Sequence, residues 1–142
     1  MFVGDGVSAP SLAFIINALG GPDKETAAVV GGVIGKKLVS LGIDNESLCL
    51  RFDDGAGVAI FDDGQSCCEH RHMSTDDDLS RFVGALFVSV ELRDGPKNTD
   101  DHGEDHDQQF MIVKTSLGEF TVVNHNEHNG YYGGFIVRAE AL

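Results

Sequence analysis

The chain has 142 residues, 42% of them apolar, which is enough for one domain with its own core. Its formal net charge is −13, from 23 acidic against 10 basic side chains. That balance excludes a general nucleic-acid polymer binder, which needs a basic face to release counterions, and disfavours an anionic membrane surface.

No apolar run approaches the roughly 20 residues of a membrane helix, and the N-terminus lacks the basic segment of a secretory signal. A soluble cytoplasmic protein is the expectation. The three cysteines, Cys49 and the adjacent Cys67 and Cys68, do not make a disulfide framework and read as thiols. Eighteen glycines point to many turns and short strands.

Residues 1–35 read as an N-terminal helical segment and residues 36–142 as a β-rich remainder, together one domain. After a Gly-rich start, the apolar run Leu12, Phe14, Ile15, Ile16 and Leu19 predicts a short buried helix that Gly20 and Gly21 end. Pro22, Asp23 and Glu25 suit the first turn of a second helix, which runs to Val30 and weakens at Gly31 and Gly32. The surplus of apolar residues here is compatible with an oligomer contact. The stretch from Gly31 to Lys36 has the wrong spacing for a phosphate loop, and Lys37 stands where the magnesium-binding hydroxyl would be.

From Lys37 the period becomes two. Residues 38–41 predict a strand; Leu48, Leu50 and Phe52 alternate with Cys49 and Arg51, and Asp54-Gly55 turns the chain towards Val58 and Ile60. Cys67 to His72 is a further short strand or its entry loop. Ser74 and Thr75 ahead of Asp76, Asp77 and Asp78 predict a short inserted helix over residues 76–82; the triple aspartate lacks the spacing of a calcium loop. Leu86, Val88 and Val90 mark one face of another strand. Residues 94–107 carry no apolar side chain and predict a mobile loop. Strands over 109–115 and 120–123 flank a Leu117-Gly118 turn, and 131–137 is the last strand, interrupted by Gly133 and Gly134. The fold class expected is α+β: two short N-terminal helices, then a mainly antiparallel sheet or small barrel with one short inserted helix.

Two clusters are poor core material. One is Gln65-Ser66-Cys67-Cys68-Glu69-His70-Arg71-His72, the other Asn124-His125-Asn126-Glu127-His128-Asn129-Gly130-Tyr131-Tyr132. Tyr131 and Tyr132 offer ring faces for a planar base, His125, Asn126 and Asn129 offer hydrogen bonds, and Arg71, Arg81 and Arg138 are scarce cations that could clamp phosphate. The ligand-binding set read from the sequence is Arg71, His125, Asn126, Asn129, Tyr131, Tyr132 and Arg138. Packing of the tyrosines on the sheet, with Asn129-Gly130 as a plain turn, explains the second cluster as well. Cys67, Cys68, Glu69, His70 and His72, with the pairs His102/His106 and His125/His128, also supply metal ligands, although in no zinc-module spacing. A cysteine–histidine nucleophile needs only spatial proximity, which spacing does not provide.

These clusters, with Phe52-Asp53-Asp54-Gly55, the Met73 that follows the first of them and Asp76-Asp77-Asp78-Leu79, resemble a family of small phage and prophage proteins with a Cys-Cys-Glu element and a C-terminal Asn-Gly-Tyr-Tyr element, a domain of unknown function. The resemblance covers about residues 36–138. It implies a non-enzymatic, homo-oligomeric protein of the bacterial host cytoplasm. By analogy with phage anti-defence sponges of the Thoeris and CBASS type, such a protein would sequester a nucleotide-derived immune signal, of the cyclic ADP-ribose or cyclic oligonucleotide kind, without a cofactor. Two alternatives stand beside it: a metal-binding protein using the Cys-Cys-Glu-His cluster, and an acidic, DNA-mimicking inhibitor of a host enzyme.

Overall fold

The computed structural model describes residues 23–44, 46–64, 69–99, 105–128 and 134–142. The helix expected over residues 11–19, the vicinal cysteines 67 and 68, His102, Asn129, Tyr131 and Tyr132 lie outside the described residues.

The described residues form two four-stranded antiparallel sheets around one hydrophobic core, with one α-helix and one 3-10 turn. Helix α1 spans Lys24–Gly31. Asp23 is its cap rather than a first-turn residue: its carboxylate accepts from the Thr26 amide at 3.3 Å and from the Thr26 hydroxyl at 2.6 Å. The same Thr26 hydroxyl accepts from the Ala139 amide at 3.2 Å, tying α1 to the last strand.

The first sheet has the order β1-β2-β3-β8, with β1 Leu38–Asp44, β2 Ser47–Phe52, β3 Gly57–Asp62 and β8 Val137–Ala141. The second has the order β4-β7-β6-β5, with β4 Glu69–Ser74, β5 Phe87–Thr99, β6 Asp105–Thr115 and β7 Gly118–His128. Leu48, Leu50, Phe52, Val58 and Ile60 of the first sheet share a core with Val90, Met111, Val113, Phe120 and Val122 of the second. The sheets are stitched at one corner, where the Leu38 amide donates to the Ala85 carbonyl at 2.8 Å and Phe87 to Lys36 at 2.9 Å.

The α+β expectation with two N-terminal helices is therefore corrected to a predominantly β architecture, in which α1 is the single α-helix among the described residues. The inserted helix over 76–82 is reduced to a 3-10 turn at Leu79–Phe82, capped by Asp78. The physical reason lies in its intended first turn. Ser74 belongs to β4, the Thr75 hydroxyl donates to the Thr121 carbonyl at 2.7 Å, and Asp77 accepts from the Thr121 amide at 2.8 Å. The sheet claims the groups that would have capped a helix.

Two further corrections bear on the site. The expected loop over 94–107 is in its described part a continuation of the β5–β6 hairpin, with Asn98 opposite His106 and Lys97 opposite Asp107. Polar composition misled because Asp107, one of its residues, is buried opposite the polar, buried Asn126. In β5, Leu86, Val88 and Val90 do not share a face: the register shifts between Phe87 and Ser89, leaving Phe87 and Val90 buried and Leu86 exposed. The last strand begins at Val137, later than expected.

Candidate functional site

The described parts of the two sequence clusters meet. Strand β4 pairs antiparallel with β7 so that Glu69 opposes His128, His70 opposes Glu127, Arg71 opposes Asn126, His72 opposes His125 and Met73 opposes Asn124. Strand β6 flanks β7 on the other side, with His106 opposite Glu127, Asp107 opposite Asn126 and Gln109 opposite Asn124. Because side chains alternate across a strand, this ladder sorts the polar residues onto two faces.

The outer face carries His70, His72, His106, His125 and Glu127. The His72 and His125 rings stack with centroids 4.3 Å apart and planes 3° from parallel, and His70 stacks on His72 at 4.9 Å. His106 Nε2 lies 2.9 Å from His125 Nδ1, while His125 Nε2 is hydrogen-bonded to the Ser74 hydroxyl at 2.8 Å. Glu127 Oε2 holds His72 Nε2 at 2.9 Å and lies 3.6 Å from His70 Nδ1. One nitrogen each from His72, His106 and His125 fall within 4.8 Å of one another, and His70, His72 and Glu127 form a second such group.

Burial, followed by the neighbouring His72 and His106, pushes the His125 imidazole below its usual 6.5. The hydrogen bond with His72 holds the Glu127 carboxyl below its usual 4.5. A neutral imidazole with a lone pair aimed at other imidazoles is the form a metal ion requires.

The inner face continues the core. Beyond Met111 and Val122 the lining turns polar: Asn124 is 1% exposed and Asn126 0%. Arg71 is enclosed there, its Nη1 2.7 Å from Asp62, its Nη2 2.7 Å from Glu69 and Nη1 3.0 Å from the Gly134 carbonyl. A Cβ on residue 64 would stand 2.6 Å from that guanidinium, so a larger residue there would have to displace Arg71 from its carboxylates. Gly134 adopts φ +74, which suits glycine and presents its carbonyl to both Arg71 and the Asn126 amide. His128 Nε2 pairs with Asp107 at 3.0 Å, both buried. Among the described residues, four buried side-chain atoms have no hydrogen-bond partner: Gln109 Oε1, both amide atoms of Asn124, and Asn126 Oδ1.

Of the ligand-binding set read from the sequence, Arg71, His125 and Asn126 come together on one ladder, but His125 faces outward while Arg71 and Asn126 face inward. Arg138 does not join them: it is exposed on the first sheet, 3.3 Å from Asp63. Arg81 sits exposed on the 3-10 turn. Asn129, Tyr131 and Tyr132 lie outside the described residues. The metal pair His125/His128 is split, since residues three apart in a strand point to opposite faces. His106 reaches the outer face through the β6 extension; Ser74 and Gln109 are site residues that sequence reasoning missed, and Asn124 stood in the second cluster but not in the ligand-binding set. The alternation of Val122, Asn124, Asn126 and His128 against His125 and Glu127 was the available signal for the sorting.

Fold and site together define an antiparallel β-sandwich with a histidine face on one sheet. The chain belongs to the family described as a domain of unknown function, DUF7448, whose model matches residues 32–137. No curated protein and no solved structure matches the chain. Among the described residues no helix is long and apolar enough to cross a membrane.

Proposed function

We propose that this is a non-enzymatic binding protein whose outer histidine face takes a divalent transition metal of the zinc or nickel type. The observation that carries this reading is the approach of imidazole nitrogens from three adjacent strands to within 4.8 Å. Two nitrogens on one tetrahedral zinc lie about 3.3 Å apart, given Zn–N bonds of roughly 2.0–2.1 Å. The 2.9 Å between His106 Nε2 and His125 Nδ1 is already close to that, so an ion would replace the proton shared between them. In the tautomer that suits it, His125 donates Nε2–H to Ser74 and His72 donates Nε2–H to Glu127, the outer support that metal-ligating histidines commonly have. His72 must leave its stack on His125, because the lone pairs of stacked rings lie in parallel planes and do not converge on one ion.

The test is titration of metal-free protein with zinc, read calorimetrically and against a chromophoric chelator. One ion per chain, weakened by His106→Ala, is expected. Binding that His72→Ala, His106→Ala and His125→Ala all leave unchanged would remove this site from consideration.

A second reading comes from the resemblance to small phage proteins: sequestration of a nucleotide-derived host signal by a homo-oligomer. The observation favouring it is a set of unpartnered carboxamide atoms among the described residues, Gln109 Oε1, Asn126 Oδ1 and both amide atoms of Asn124, whose acceptors and one donor can match the edge of a base. Arg71 already faces two carboxylates, so hydrogen bonds rather than this arginine would hold such a ligand. Native mass spectrometry of protein from cells making such signals reads subunit number and bound mass together. A bare monomer with no stabilisation by cyclic ADP-ribose or cyclic dinucleotides would count against it.

A further inference from the structure

We infer that a metal held on the outer face serves as the protein's receptor for a phosphate-type oxyanion. This rests on the metal reading above and adds the class of ligand that the ion would take.

The first support is charge. A chain at −13 repels phosphate, and two arginines of the expected clamp, Arg71 and Arg138, lie against carboxylates. Arg71 lies against Asp62 and Glu69 in the interior, and Arg138 lies beside Asp63 on the other sheet. A divalent ion on His72, His106 and His125 would bring a concentrated positive charge to this face.

Coordination is the second support. Three histidines from one sheet face supply ligands from one side only. Zinc and cobalt take a fourth ligand, and here the remaining direction points to solvent: the His72 side chain is 31% exposed and that of Glu127 42%. Closed structural sites use four protein ligands, whereas three-histidine sites bind an exchangeable water or anion.

The third is hydrogen bonding around that position. The Ser74 hydroxyl beside His125 and the His70 ring, 72% exposed by its side chain, border the triad and can donate to oxyanion oxygens. Glu127 is the opposing charge, and its hydrogen bond to His72 directs it towards the rings.

The experiment uses the full chain loaded with cobalt, whose visible absorption reports its ligand set. Inorganic phosphate, AMP and adenosine are titrated separately into loaded and metal-free protein. Phosphate and AMP are expected to change the cobalt bands and to bind the loaded protein about tenfold or more tighter than the metal-free form, with adenosine inert. AMP acting at lower concentration than phosphate would identify a nucleotide as the source, and equal potency would identify the phosphate group alone; either supports the inference. A cobalt spectrum that forms but ignores phosphate overturns it while leaving the metal site standing. Equal phosphate binding with and without metal also overturns it. Failure to bind cobalt removes both.

Discussion

His72 and His125 oppose each other across the β4–β7 ladder, their rings stacked 4.3 Å apart and 3° from parallel. This cross-strand pair joins the two histidine-bearing segments, which are more than fifty residues apart in the chain. The stack holds the two imidazoles face to face on the outer side of the sheet. Glu127 on one side and Ser74 on the other fix which edge of each ring is occupied.

Removing a ligand from the triad should weaken metal binding far more than removing a bystander. His106→Ala and His125→Ala are expected to lower zinc affinity by about 100-fold or more, and Ser74→Ala by about 10-fold, since loss of an outer hydrogen bond typically costs about 10–100-fold. His70→Ala, which lies outside the triad, should change affinity least. Competition with a chromophoric chelator ranks the four variants, and an equal loss in all of them would point to unfolding instead of ligation.

Acidification should destabilise the metal-free protein from two groups at two different pH ranges. His125 has a folded pKa below 6.5, so the folded state binds fewer protons than the unfolded state. Its contribution is unaffected above about pH 6.5, and stability falls as pH drops below that value until the folded pKa is reached. Glu127, depressed below 4.5 by the hydrogen bond with His72, stabilises above pH 4.5 and loses that contribution as pH falls through its folded pKa. Urea unfolding followed from pH 8 to 4 should show the first loss, and His125→Asn should flatten its onset below about pH 6.5. A His125→Asn profile parallel to wild type would mean that the ring does not control this range.

The β-rich character was legible because Leu48, Leu50 and Phe52 alternate and Asp54-Gly55 turns, and those residues fold as read. The two polar clusters were legible as unlikely core material, yet their arrangement was not, because pairing register is a property of two strands and not of either alone. Residues 105–109 show the difficulty best. Asp105, His106, Asp107, Gln108 and Gln109 have the composition of a loop, but every second one faces a polar interior built from Asn124 and Asn126, which only the β6–β7 register reveals. The helix signal at Asp76–Asp78 failed for a related reason: Thr121, far along the chain, competes for the same capping groups.

Arg71 should prove structural. Its guanidinium is 7% exposed, between Asp62 at 8% and Glu69 at 0%, and burial by itself disfavours its charge while the hydrogen bonds to Glu69 and Asp62 more than restore it. Arg71→Ala leaves two buried carboxylates facing each other and is expected to cost about 3–5 kcal/mol, readable by urea unfolding. Arg71→Met with Glu69→Gln should recover part of that loss, as the buried charge is then reduced along with its partner. A single variant as stable as wild type would show that water reaches the carboxylates.

Asn124 gives the opposite expectation. Its side chain is 1% exposed, neither amide atom has a hydrogen-bond partner, and its neighbours on the inner face include Met73, Val122 and Gln109. Burying an amide without partners costs about 1–3 kcal/mol, a penalty that an apolar residue of similar volume does not carry. Asn124→Leu should therefore raise the midpoint of urea unfolding, whereas Asn126→Leu should lower it, because the Asn126 amide donates to Glu69 at 3.0 Å and to Gly134 at 3.3 Å. The pair separates a merely tolerated polar residue from one retained for binding. If Asn124→Leu is more stable and also loses stabilisation by a cyclic nucleotide that protects the wild type, Asn124 is kept for the ligand at the expense of the fold. If it is less stable than wild type with no ligand added, ordered water satisfies the amide and the carboxamide set is structural.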